Sequence, residues 1–577
     1  MPKPAIRYRI ELHDAHAHQF RVTLTVAHPA AAQRLSLPVW IPGSYMVREF
    51  GRHLSRLEAR QGARAVALTQ LDKTTWQATC RGRAALTVSG LVYAFDPSVR
   101  TAFLDASRAF FNGTSLLLRV EGQEDTPHGL EFGSLPRGWS VATAMRRSGR
   151  MYVAADYDEL VDHPFELGRF WRGRFDAHGV PHEFVVAGAW PGFDGERLLA
   201  DAEKICEAQI ALWHGPRKPR APFERYVFLL NAVDEGYGGL EHRASTALIA
   251  RRRDLPQQGV AALTEGYATL LGLVSHEYFH AWNVKRLKPA ALARIDYARE
   301  NYTELLWFFE GFTSYYDDLV LLRAGVIDAP RYLGLLAKTL NGVAATPGRA
   351  VQSVAQASFD AWVKYYRSDE NTPNATVSYY AKGSLVALAF DLTLRREGRG
   401  SLDAVMRELW RASGAGPIAE ADIAAAFAAV GGRSYAREIA AWVHGTEELP
   451  LPMLLEAFGI ESRRDKAGFA AALGLRLAES GSAVLVKQVL AASPAARAGV
   501  SAGDELMAVD GWRLRRLDEA QQWIAPGAAF ELLVARDQRL LTLRLKPDPS
   551  PAPLLALALA AAPSSRAAGL RRAWIGA

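Results

Sequence analysis

Val274-Ser275-His276-Glu277-Tyr278-Phe279-His280 decides how this chain is read. It sets His-Glu-x-x-His inside an apolar run, from about Ala261 to Trp282, whose pattern predicts a helix. Residues four apart on a helix lie one above the other, so His276 and His280 present two imidazole nitrogens to one metal ion. Glu277 follows the first of them and reaches the water that such an ion activates, as a general base. Two histidines and a carboxylate are costly to bury in an apolar helix without a partner, which favours a metal over a chance pattern. A catalytic zinc takes three protein ligands and keeps one position open. The third is sought in the next helical run, Thr303 to Tyr316, where Glu304 and Glu310 are the acidic candidates. Glu310 stands among large apolar residues and is the expected ligand; Glu304, nearer the polar start, reads as solvated or capping. No third histidine follows His280 closely, which argues against the three-histidine class with its Met-turn.

These residues carry a resemblance. His276-Glu-Tyr-Phe-His280 followed by Trp307-Phe-Phe-Glu310-Gly-Phe-Thr-Ser-Tyr-Tyr316 is similar to the glycyl aminopeptidase family of zinc metallopeptidases. Other blocks of that family occur in order: Leu37-Pro-Val-Trp-Ile-Pro-Gly-Ser-Tyr45, Gly238-Gly-Leu-Glu-His242 and Tyr379-Tyr-Ala-Lys-Gly383, with a PDZ-like segment after them. The resemblance implies a thermolysin-like catalytic domain of the gluzincin type, one zinc ion held by His276, His280 and Glu310, and removal of N-terminal glycine or alanine. It further implies that Gly238-Gly-Leu-Glu241 is the exopeptidase motif. Glycines let a strand edge approach a substrate backbone, and Glu241 pairs with the substrate's free α-ammonium. Tyr380, two residues before Lys382-Gly383, would donate its phenol to the tetrahedral oxyanion, with Tyr379 as competitor. Asp317 shares the face of Glu310 and is a candidate to orient a ligand histidine; Asp318 in that role, or ordinary solvation, reads equally well.

The rest of the chain reads as a multidomain α+β protein. Its 577 residues are 49% hydrophobic and 22% charged, proportions of an ordinary globular protein long enough for several domains. The net charge of +7 comes from 68 basic and 61 acidic residues scattered without a stripe, so nucleic acid is not an expected partner. Cys80 and Cys206 form no disulfide framework and have no ligand spacing. Met1 to Tyr8 lacks the apolar stretch of a signal peptide, so a cytoplasmic location is expected, or a periplasmic one if a leader was removed. The apolar run Leu554 to Ala562 is too short to span a bilayer.

Alternating runs such as Phe20-Arg-Val-Thr-Leu-Thr-Val26 predict an all-β sandwich for residues 1–175. Trp40-Ile-Pro-Gly-Ser-Tyr45 reads as a packed corner, and His13, His16 and His18 as a polar hairpin end. Residues 176–460 change to a small mixed sheet followed by helices, the expected catalytic domain, with a long polar loop from about Ala345 to Asn374. Residues 461–548 form the PDZ-like module, where an edge strand near Gly474 would accept a peptide C-terminus; 549–577 are a C-terminal extension. The expected function is a zinc aminopeptidase acting on peptides with a free N-terminus. An endopeptidase on the same site, or a PDZ-type peptide-binding scaffold with a structural zinc, are the alternatives.

Overall fold

The computed structural model describes residues 4–215, 220–548 and 553–577. Met1–Lys3, which begin the polar N-terminus, and residues 549–552, which begin the C-terminal extension, lie outside the described residues. The fold is a multidomain α+β one in which two compact units form.

The first unit begins with the alternating strands. Ile6–Asp14 and Gln19–Val26 form an antiparallel hairpin within an eight-stranded sheet, and two four-stranded sheets accompany it. Gln19–Val26 strictly alternates between buried and partly exposed residues, as a strand with one face on a core must. That core gathers Tyr8, Phe20, Leu24, Trp76, Phe111 and Phe165 among others.

A five-stranded sheet follows, made of β1 (Trp171–Ala177), β2 (Val180–Ala187), β3 (Tyr226–Val233), β4 (Gly238–Glu241) and β5 (Ser245–Arg251). Its order is β1-β2-β3-β5-β4, so the glycine-rich β4 is an edge strand. Helix α1 (Gly195–His214) joins β2 to β3, the long crossover that a parallel pair requires. Helix α2 (Glu265–Phe279) carries the His-Glu-x-x-His stretch. Thr264 caps it by accepting from the Tyr267 amide, and Tyr267, Leu270, Leu271, Val274 and Tyr278 are buried along it. His280 sits at its C-terminal cap, still in helical conformation.

The second unit is largely helical and carries two β modules ahead of its last helix. The run expected to be one helix from Thr303 is broken at Glu310. A one-turn helix covers Leu306–Phe309, helix α3 spans Gly311–Arg323 and passes into the first unit at Tyr316, and Glu310 is the joint between the two helices. Glu304 lies outside any helix and is exposed. Helix α4 (Ala381–Arg396) begins after Tyr380. The region expected as a loop from Ala345 to Asn374 instead contains short helices at Val354–Phe359 and Thr372–Ala375. Ser353 and Gln356 supply a capping box for the first of these, a local signal that outweighs the polar composition.

The PDZ domain has its own core around Phe469, Val484, Val486, Leu506, Phe530 and Leu532. It is enclosed between β6 (Ile460–Asp465) and β7 (Leu554–Leu559), which pair antiparallel from Ile460↔Leu559 to Asp465↔Leu554. The chain ends in helix α5 (Ser565–Ile575). Among the described residues no helix is long and apolar enough to cross a membrane.

Candidate active site

The α2 helix turns His276 and His280 to one face, with ring centroids 4.7 Å apart. Each imidazole uses Nδ1 on a protein oxygen. His276 Nδ1 lies 3.1 Å from Asp317 Oδ2, and His280 Nδ1 donates to the Asn283 carbonyl at 2.7 Å. These bonds place the proton on Nδ1 and leave Nε2 with its lone pair, the tautomer a metal ligand needs. Ser275 Oγ donates to the Asp317 carbonyl at 2.9 Å, and Phe279 stacks on Tyr316, so α2 is laced to the segment that carries Asp317. Burial pushes the Asp317 carboxyl up, and the His276 hydrogen bond opposes that shift.

Edge strand β4 supplies the next groups. Its pairing runs Gly238↔Ile249, Leu240↔Ala247 and on to the His242 amide, which donates to the Ser245 carbonyl. Alternation along an antiparallel pair therefore turns the amide and carbonyl of Gly239 away from β5, toward the free edge. Gly239 also presses on the general-base candidate: a side chain there would overlap the Glu277 carboxylate. Glu241, at the far end of β4, is only 4% exposed. It is walled by the turn after Trp40, where a side-chain carbon on Gly43, at φ +91°, would stand 2.5 Å from Glu241 Oε1. The corner read as mere packing thus also closes one end of the site. A cavity of about 70 Å³ adjoins it, lined by Trp40, Ile41, Gly43, Tyr45 and Lys285 among others.

Glu310 is 2% exposed; its amide donates to the Leu306 carbonyl and its own carbonyl accepts from Ser314. The following Gly311 lies against Gly383, where an added carbon would come within 2.6 Å of the backbone. That glycine pair lets α3 and the start of α4 approach closely, which brings Glu310 near Tyr380. Burial first, and then the Glu310 charge, hold the Tyr380 phenol well above its ordinary value, so it stays a proton donor at neutral pH. Tyr380 is half-buried and Tyr379 fully buried; Tyr365 stacks on Tyr380 and lies tilted against Tyr379.

One ligand atom from each of His276, His280 and Glu310 lies within 4.8 Å of the other two, and the same holds for Glu241, Glu277 and His280. The first trio has the donor set of a catalytic zinc site, two neutral imidazoles and a carboxylate. With both tautomers fixed by Nδ1 bonds, the residues fit that ion. His242 bonds Asp162, which also pairs with Lys285 at 2.6 Å, so its place is in a buried charge network. Tyr365 had no motif to mark it and reaches the site through tertiary structure; Asn283 meets His280 from three residues on, and Gly43 lies in a block read only as a packed corner.

The chain matches the models of the M61 glycyl aminopeptidase over residues 269–386, the peptidase M61 N-terminal domain over 7–169, and a PDZ domain over 485–536. No curated protein matches it. Among solved structures, an aminopeptidase N family protein from Idiomarina loihiensis is 37% identical over 99% of this chain and 100% of its own, with a TM-score of 0.92. An M1 zinc metallopeptidase from Deinococcus radiodurans is 15% identical over 78% of this chain and 95% of its own, with a TM-score of 0.46. With its catalytic, N-terminal and PDZ segments matched in order and a full-length relative at this identity, the chain belongs to the M61 glycyl aminopeptidase family of peptidases.

Proposed function

We propose that this peptidase is a zinc-dependent aminopeptidase that releases small N-terminal residues, such as glycine or alanine, from peptides. His276, His280 and Glu310 would hold one zinc ion. When bound, zinc supplies Lewis acidity, lowering the pKa of a water and polarising a carbonyl.

The chain's own residues do the rest. The free edge at Gly239 aligns the peptide backbone. Glu241 receives the α-ammonium. Glu277 takes a proton from the attacking water and returns it to the leaving amine. Tyr380 donates its phenol to the oxyanion of the tetrahedral adduct. The PDZ edge strand Leu475–Ser480 would take a peptide C-terminus in the same extended manner.

The observation that carries the exopeptidase reading is the wall behind Glu241. A buried carboxylate closed off by Gly43 suits a chain end with a positive charge, and leaves little room for a peptide continuing past it.

The test compares free and N-acetylated peptides, with metal content measured alongside. Glu241→Ala should lose roughly thirty-fold to a thousand-fold in kcat/KM on free-amino substrates, with zinc unchanged. Equal rates on free and acetylated peptides in the parent would establish an endopeptidase instead.

A further inference from the structure

The free edge of β4 already has a cationic neighbour. Arg100 Nη2 donates to the outward Gly239 carbonyl at 3.4 Å, a long bond. Both Nη atoms would lie 3.6 Å from a side-chain carbon on Gly238, so the guanidinium runs along the Gly238 end of the edge.

Its backbone is held in place. Asn112, fully buried, donates Nδ2 to the Val99 carbonyl at 2.8 Å and to the Thr101 carbonyl at 3.3 Å. Val99 packs in one apolar cluster with Leu240 of β4 and Ala247 and Ile249 of β5. Arg100 forms no ion pair among the described residues, and its Nε is buried without an acceptor. A planar guanidinium with spare donors and no carboxylate partner suits a carboxylate ligand.

The direction of the substrate follows from the carboxylates. Glu241 marks the amino end, and Glu277 lies against Gly239, so the bond to be cut sits near Gly239. The leaving residues then continue toward Gly238, antiparallel to β4. A strand advances about 3.3 Å per residue, so the terminal carboxylate one or two residues past the cut reaches the guanidinium.

We propose that Arg100 binds the C-terminal carboxylate of short peptides and makes this protein selective for dipeptides and tripeptides with a free carboxyl end. The inference rests on the aminopeptidase reading of the cleft.

The experiment measures kcat/KM of the full-length zinc-loaded protein on Ala-Ala and Ala-Ala-Ala, on their C-terminal amides, and on their N-acetylated forms. The parent should prefer the free acids over the amides by about tenfold to a hundredfold, the range of a charge-assisted hydrogen bond. Arg100→Gln should bring that ratio close to one, and Arg100→Lys should restore part of it. A parent that cleaves acids and amides equally overturns the assignment, whether or not the variants fold. So does an undiminished ratio in a folded Arg100→Gln. A parent that requires a free amine but ignores the carboxyl end refutes Arg100 alone; one that accepts acetylated peptides refutes the cleft reading beneath it.

Discussion

Glu277 and Glu310 are both buried carboxylates, yet their neighbours assign them different work. Glu277 lies against the backbone of Gly239, at the free edge of β4, and belongs to the same compact cluster as Glu241 and His280. Glu310 is fixed at a helix joint beside the tyrosines and groups with the two histidines. Replacing a general base by its amide keeps shape but removes proton acceptance. Glu277→Gln should therefore retain zinc and lose turnover by roughly 10²–10⁴-fold. Glu310→Ala removes an anionic ligand and should lose the zinc itself, whereas Glu304→Ala, exposed and outside the helices, should keep it. Metal analysis beside single-substrate kinetics separates the two. Normal zinc in Glu310→Ala, or substantial turnover in Glu277→Gln, would exchange or cancel these roles.

Helix α2 depends on the sheet behind it through a histidine the motif does not contain. His182, on β2, donates Nδ1–H to the Val180 carbonyl at 2.8 Å, and the Tyr278 hydroxyl donates to its Nε2 at 2.9 Å. Burial pushes the His182 pKa down to about 4, so the folded protein keeps this imidazole neutral. The unfolded chain takes up a proton near pH 6.5 that the folded one refuses. Stability from this site is thus complete above about pH 6.5, falls as the pH drops toward 4, and then levels, a loss of about 3 kcal/mol at most. His182→Gln should be less stable at neutral pH but show a shallower decline in urea midpoint between pH 6.5 and 4; a decline as steep as the parent's would remove His182 as a cause. Such elements divide what sequence can and cannot reveal. The His-Glu-x-x-His pattern is local and its spacing marks it, whereas Glu241 on β4 and Tyr380 before α4 stand out through the family resemblance of the blocks that carry them. The approach of Gly311 to Gly383, the Gly43 wall and the placement of Arg100 all come from the return of distant chain. No residue near these positions in sequence signals that contact. The helices at Val354–Phe359 and Thr372–Ala375 were hidden by polar composition, although Ser353 and Gln356 carry the capping signal.

Every proposed catalytic group precedes the PDZ domain, yet the chain after that domain is built into the helical core. The ribbon of β6 and β7 is pinned where Asn341 exchanges two 2.8 Å hydrogen bonds with Leu555. Trp574 of α5, 1% exposed, donates Nε1 to the Tyr315 hydroxyl at 3.0 Å, and Tyr315 donates to Asp391 at 2.6 Å. Asp391 also accepts from Arg395 and from the Leu402 amide, so one buried network ties the C-terminus to α3, which Glu310 precedes. The PDZ domain is therefore an insertion between paired strands, and where the chain is cut matters more than how much is removed. Asp465 and Leu554 are cross-strand partners, about 5 Å apart at Cα. Joining them through a two-residue Asn-Gly turn should excise residues 466–553 and leave a folded, zinc-binding enzyme with measurable turnover of short peptides. The excision breaks the Asn374 pair with Val489 and Ala491, groups that water then satisfies. Ending the chain after Glu461 instead removes β7 and α5 and exposes the Tyr315–Asp391 network. That truncation should unfold at markedly lower temperature and lose zinc more readily, and Trp574→Ala alone should cost about 3–5 kcal/mol. Thermal melts with zinc content decide it: equal stability of the excised and truncated chains would show that the terminal helix contributes nothing, and an excised chain that folds and binds zinc but does not turn over would give the PDZ domain a part in building the site.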